Sequence, residues 1–293
     1  DYVMENMFEK GCLVQLSTSV WGATRKIDPG KITDRISSQQ WLTASKKLID
    51  PAALKPIKKV VNSSRSYLCG VSLPFPIQGM VFVPKETISK VDDKLDCFKQ
   101  DFNRCVENFM QGFDDLRQAA IQCLGDLFNE LDYPVDLQSK FSFIWRFVIL
   151  DVPNGNTAIL APEVYEREKE KFVQTMEQAR ELAVESLRTE FADLTKRITD
   201  RFTTGPNGKP KVFKNATVHN FYEFFETFKE RNIFRDEQLA ELVNHAKAIL
   251  GGCSAEKIRS NDQLKEHIKN GMSEVENAMA DILSRPRRKI IMN

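Results

Sequence analysis

The sequence predicts an α+β fold that is mostly α: a long antiparallel helical hairpin, a small antiparallel β-sheet and a C-terminal helical region. Three observations lead there. Residues 88–131 and 164–202 each carry an apolar stripe at helical spacing under a dense coat of mixed charge. Residues 11–21 and 139–150 alternate their side chains with the two-residue period of a strand. Beyond residue 214, short helical patterns are separated by Gly, Pro and Asp breaks.

The first strand sets Cys12, Val14, Leu16, Thr18 and Val20 on one side against Gln15, Ser17 and Ser19 on the other. A turn is expected at Asp28-Pro29-Gly30. Asp50-Pro51 reads as a helix start, with Asp as N-cap and Pro in the first turn. From there Leu54, Ile57, Val61, Arg65 and Leu68 trace one face, and Gly70 is placed to end the helix. Residues 78–83 read as a short apolar strand.

After Pro84, the residues Ile88, Val91, Leu95, Phe98, Phe102, Cys105 and Phe109 step by three and four, as in a heptad stripe. The register shifts at Gly112-Phe113, continues through Leu116, Ala120, Leu124 and Leu127, and is broken at Tyr133-Pro134. Residues 139–150 form the strongest strand pattern, with Phe141, Phe143, Trp145, Phe147 and Ile149 on one face. This strand is expected to pair with the first one. Pro162 opens the second long helix, whose stripe runs through Phe172, Met176, Ala179, Ala183, Leu187, Phe191, Leu194, Ile198 and Phe202. Asp193 and Arg197 are spaced for a helical ion pair.

A Gly/Pro loop with Lys209, Lys211 and Lys214 follows, then an aromatic helix through Val218, Phe221, Phe224, Phe225 and Phe228. Asp236 caps the next helix, which Gly251-Gly252 ends. Ser260-Asn261-Asp262-Gln263 fits a capping box for a last helix ending before Pro286. The expected domains are residues 1–202 (sheet plus hairpin), 203–216 (basic loop) and 217–293 (C-terminal helices with a basic tail).

Composition narrows the function classes. At 42% apolar and 28% charged residues with net charge +1, the chain has the balance of a folded soluble protein without a global field for polyanions. No apolar run reaches the roughly 18 to 20 residues of a spanning helix, and the first residues lack the pattern of a signal peptide. A cytoplasmic location is expected. Six cysteines without a Cys-x-x-Cys pair read as reduced, small hydrophobic side chains on apolar stripes.

No catalytic constellation stands out, so no enzyme activity, cofactor or metal is expected. His219, His245 and His267 fall on separate predicted helices and read as exposed helix-face residues. Residues 205–210 lack the spacing of a phosphate-binding loop, with Pro210 where a magnesium-binding hydroxyl belongs. Two basic clusters are candidates for anion contact: Lys209, Lys211 and Lys214, and the C-terminal Arg287, Arg288 and Lys289. Tyr222 and Phe225 form a partner-binding patch if they lie outside the core.

Several segments resemble the bacterial family catalogued as domain of unknown function 3150. They are Leu13-Val14-Gln15-Leu16, the run from Trp21 to Lys26, Lys47-Leu48-Ile49-Asp50-Pro51 and the strand from Phe141 to Phe147. The likeness continues through residues 207–213, the aromatic helix at 221–228, Leu250-Gly251-Gly252 and Ile258-Arg259-Ser260-Asn261. The resemblance implies bacterial and phage-related gene clusters that often encode a MoxR-type or cobaltochelatase-like AAA+ ATPase and a von Willebrand A protein. In such a system this chain would be a third component. The expectation is therefore a non-catalytic structural, scaffold or adaptor protein that self-assembles or acts with those partners, without a membrane. The alternative is a nucleic-acid-associated protein using the basic loop and tail.

Overall fold

The computed structural model describes residues 7–27, 43–150, 161–206, 208 and 211–284. Strands β1 (Gly11–Ser19), β2 (Thr24–Ile27) and β3 (Ala44–Lys47) come first, and a 3-10 turn, Pro51–Leu54, leads into α1 (Lys55–Val71). Strands β4 (Leu73–Pro74) and β5 (Met80–Pro84) precede helices α2 (Ile88–Gln111) and α3 (Phe113–Leu124). Strand β6 (Ser142–Val148) follows, then α4 (Pro162–Asp200), α5 (Asn215–Arg231), α6 (Glu237–Leu250), α7 (Ala255–Ser260) and α8 (Asp262–Ser284). The fold is α+β and mostly α, with small antiparallel sheets and a helical C-terminal region.

Local chemistry places most boundaries. Asp50 accepts a hydrogen bond from the Ala52 amide at 2.8 Å, so the helix entry begins where the Asp-Pro pair predicts. Asp236 caps α6 through the Leu239 amide at 3.2 Å, and Gly251 ends that helix in the left-handed region at φ 52°. The register shift at Gly112 is a true break between α2 and α3. Helix α7 precedes the last helix, and Asn261 rather than Ser260 caps α8 by accepting from the Leu264 amide at 3.0 Å. Gly70 lies inside α1, which runs on to Val71, and α3 stops at Leu124, short of Tyr133. The expected turn at residues 28–30 lies outside the described residues.

The chain folds as two compact units that are each assembled from separate stretches. The first comprises Asp1–Leu13, Cys69–Ile88 and Val148–Asn293, and the second Val14–Leu68 and Ser89–Phe147.

In the first unit, β4 and β5 pair antiparallel with Leu73 opposite Phe82, and the start of β1 lies beside β5. Helix α4 packs against α8, α5 and β4, while α6 and α7 pack against α8. Phe191, Ile198, Phe221, Leu239, Ile268 and Met272 are fully or almost fully buried in this core, together with Leu13, Leu73 and Phe82. Phe191 stacks on Phe224 with centroids 5.5 Å apart. A Cβ on Gly11 would lie 2.2 Å from the Val83 carbonyl oxygen, so only glycine fits where β1 meets β5.

In the second unit, β6 lies beside β1, as the strand patterns predict, and β2 and β3 form a two-stranded antiparallel ribbon. Helix α2 buries Val91, Leu95, Phe102, Val106 and Phe109. Its rings meet the β6 side, with Phe102 and Phe143 centroids 5.6 Å apart and Phe109 and Phe141 5.5 Å apart. The Tyr133 hydroxyl donates to the Leu48 carbonyl at 2.6 Å, and Asp132 receives Lys46 at 2.6 Å and Arg25 at 3.4 Å. Burial pushes the Tyr133 hydroxyl pKa up, and the adjacent Asp132 charge adds to the shift.

Two expectations change at this level. The long helices α2 and α4 belong to different units, so the hairpin expected between them organises neither unit. An apolar stripe says that a helix needs a partner, and α8, α5 and β4 fill that place for α4. No unit boundary falls at residue 202 or 216, because residues 148–293 form one continuous part of the first unit. Strand β1 also departs from strict alternation: Gly11, Cys12, Leu13 and Val14 are all buried, and the half-buried pattern begins only after them.

Candidate functional site

The aromatic helix α5 turns its surplus rings inward. Tyr222 and Phe225 are half-buried against the first unit's core. The Tyr222 hydroxyl donates to the Cys253 carbonyl at 3.0 Å, and Phe225 packs on Phe221 at 5.7 Å between centroids. Burial raises the Tyr222 pKa. The condition under which these two rings form an outward patch is therefore not met.

The basic clusters have different fates. Lys211 is half-buried and its Nζ lies 2.5 Å from Asp200 Oδ1. That hydrogen bond, joined by the Lys211 and Arg201 charges, holds the Asp200 carboxyl below the usual range. Lys214 is exposed at the α5 N-cap position, where its side chain caps nothing. Lys209, Arg287, Arg288 and Lys289 lie outside the described residues.

His219, His245 and His267 are all exposed, on α5, α6 and α8, as their helical positions predict. His219 Nε2 lies 3.2 Å from Glu223. Among the described residues no three His, Cys, Asp or Glu side chains gather as metal ligands. The cysteines are free, but Cys69, Cys97 and Cys123 are exposed, so only part of the set serves as small core hydrophobes. No helix among the described residues is long and apolar enough to cross a membrane.

An open groove of about 640 Å³ lies between the end of α4 and α8. Asp193, Asp200 and Glu276 line it beside Lys196, Arg197 and Lys269. With three acids against three bases, it selects neither anions nor cations. Thr199 Oγ1 donates to Glu276 Oε2 across it at 2.5 Å, tying the two helices together.

A largely buried polar network of the first unit is structural. Arg188 grips Asp236 in a two-pronged contact, Nε at 2.5 Å and Nη2 at 3.0 Å. Arg231, only 2% exposed, donates to the Ser72 carbonyl at 3.1 Å and to Glu190 at 2.6 Å. Lys10 donates to the Ile233 carbonyl in the same turn between α5 and α6.

Two features look outward. The first is the start of α4, where no residue before Met176 is buried. Tyr165, Phe172 and Val173 nevertheless continue the stripe that Met176, Ala183 and Leu187 bury further on. Phe172 reaches the edge of the core, while Val173 is 45% exposed. The second is the outer face of α1, where Lys55, Lys58, Lys59, Asn62, Ser63 and Ser66 line a shallow depression. Sequence reading passed over those lysines, although a signal was present: no Asp or Glu occurs between Asp50 and Glu86.

The family model described as Protein of unknown function (DUF3150) matches residues 8–203. The chain belongs to the DUF3150 family. The matched segment holds β1 to β6 and α1 to α4, including the runs at residues 13–16, 21–26, 47–51 and 141–147 that carry the resemblance. The resembling runs in α5, at the end of α6 and in α7, and the loop before them, lie beyond it. No curated protein and no solved structure matches this DUF3150 chain.

Proposed function

We propose that this DUF3150 chain is a non-catalytic, cytoplasmic scaffold or adaptor that works by binding other protein chains. Its partners are a second copy of itself, or an AAA+ ATPase and a von Willebrand A protein. Those two partner classes come from the family resemblance. The observation that carries the reading is the first part of α4.

Helix α4 has 39 residues, about 58 Å at the α-helical rise. Its first four turns, residues 162–175, contain no buried side chain. A helical stretch of that length is marginal in water without packing, yet its apolar stripe keeps the register of the buried part. Such a stripe fits the apolar groove or the amphipathic helix of another chain. The charged residues around it, from Glu163 to Lys171, keep the arm soluble and can set partner choice.

The test replaces Tyr165 and Val173 together with Asp. Association with self or with the two candidate partners is expected to weaken at least about tenfold, while the melting temperature stays within the small range of surface substitutions. Unchanged association would sink the arm as the docking element. Absence of any homo-oligomer or complex at micromolar concentration would sink the scaffold reading itself.

A further inference from the structure

We propose that the outer face of α1 is a sequence-independent binding surface for the phosphate backbone of double-helical nucleic acid. The inference stands apart from the scaffold reading, because it concerns the second unit and does not use the α4 arm.

The charge is segregated. Residues 43–71 contain six lysines and arginines against the single Asp50, a net +5 in a chain whose total is +1, so the remainder is net acidic. Helix α1 itself has no acid, including in its first turn, where acids would complement the helix dipole. Lys55, Lys58, Lys59, Asn62, Ser63 and Ser66 are all exposed and lie on one face. The three lysines form no ion pair among the described residues. On the β2–β3 ribbon just before α1, Thr24 faces Lys47 and Lys26 faces Ser45. All four are exposed, so this face repeats the pairing of lysine with hydroxyl. On the other ribbon face Arg25 and Lys46 pair with Asp132, Lys46 with its side chain largely buried and Arg25 exposed.

The residue types choose among anionic partners. Protein interfaces have an apolar, aromatic-rich centre from which Lys and Ser are depleted, whereas this face is built of Lys, Ser and Asn. A membrane-surface helix inserts its apolar side, but Leu54, Ile57, Val61 and Leu68 are buried in the fold. Single strands are held by stacking on aromatic rings, and none lines the depression. Lysine, serine and asparagine are the side chains that contact phosphate and sugar without reading bases. From Lys55 to Ser66 the face runs about 16 Å, a length of duplex that carries about five phosphates per strand.

The experiment measures fluorescence anisotropy of two labelled duplexes of unrelated sequence with the full chain at varied salt. Both duplexes are expected to bind equally, with affinity falling about 40-fold between about 50 and 200 mM salt if three phosphates are neutralised. Lys55→Glu/Lys58→Glu/Lys59→Glu removes that binding, and the corresponding Gln variant, which changes no fold contact, reduces the salt slope by about three. Charge reversal of Lys209, Lys211 and Lys214 leaves binding unchanged. No duplex binding by the wild type overturns the proposal. So does loss only with the loop variant, or binding of phosphatidylserine vesicles through the α1 lysines without duplex binding.

Discussion

Gly11 shows how closely β1 and β5 approach. The Val83 carbonyl and the Phe82 ring occupy the space a side chain would take. Backbone cannot yield as a flexible side chain does, so Gly11→Ala is expected to cost about 1–3 kcal/mol, read as a lower denaturant midpoint. Asp236 combines two roles, capping α6 and receiving Arg188, and its side chain is only 6% exposed. Asp236→Ala leaves Arg188 without its carboxylate and the helix without its cap, a loss of about 2 kcal/mol or more. A third expectation is electrostatic. Lys211→Met should raise the Asp200 pKa towards the ordinary carboxylate value in an NMR titration, since the Lys211 hydrogen bond is the main cause of its depression. With the pair intact, the folded pKa of Asp200 lies below its unfolded value. Its contribution to stability is therefore present above the unfolded pKa and lost as pH falls through the folded one. An unmoved titration would mean that the pair does not form in solution.

Elements were legible in the sequence wherever a local rule was enough. Pro162 at the start of α4, Asp50 and Asp236 as caps, Gly251 as a stop and Gly112 as a break all act within a few residues. Partnership was not legible, because a stripe such as Leu187, Phe191, Leu194 and Ile198 fits many apolar surfaces equally well. The same limit applies to Tyr222 and Phe225, whose inward placement depends on α7 and the Cys253 carbonyl. The short β4 was missed for a related reason: two residues carry no period, and only pairing with Val81 and Phe82 makes them a strand. At this scale the arm of α4 carries an expectation of its own. Amide hydrogens of residues 162–175 should exchange much faster than those after Met176 in the isolated chain and become protected when a partner is added. Equal protection across the whole helix in the isolated chain would contradict an unpartnered arm.

The whole molecule interleaves its units along the chain, so neither can be cut out as one continuous piece. A fragment of residues 148–293 lacks Met7, Leu13, Leu73, Phe75 and Phe82, all buried in the first unit's core. It is expected to lose the cooperative thermal transition of the full chain, and a transition at the same temperature would show that those residues add little. The proposed scaffold role turns on association at this scale. Light scattering after gel filtration, with the full chain alone and mixed with an AAA+ ATPase and a von Willebrand A protein of the proposed partner classes, tests that most directly. The scaffold account predicts a defined species of at least twice the 33.6 kDa chain mass, or a stable complex with a partner. A 33.6 kDa monomer in every mixture at micromolar concentration would contradict it.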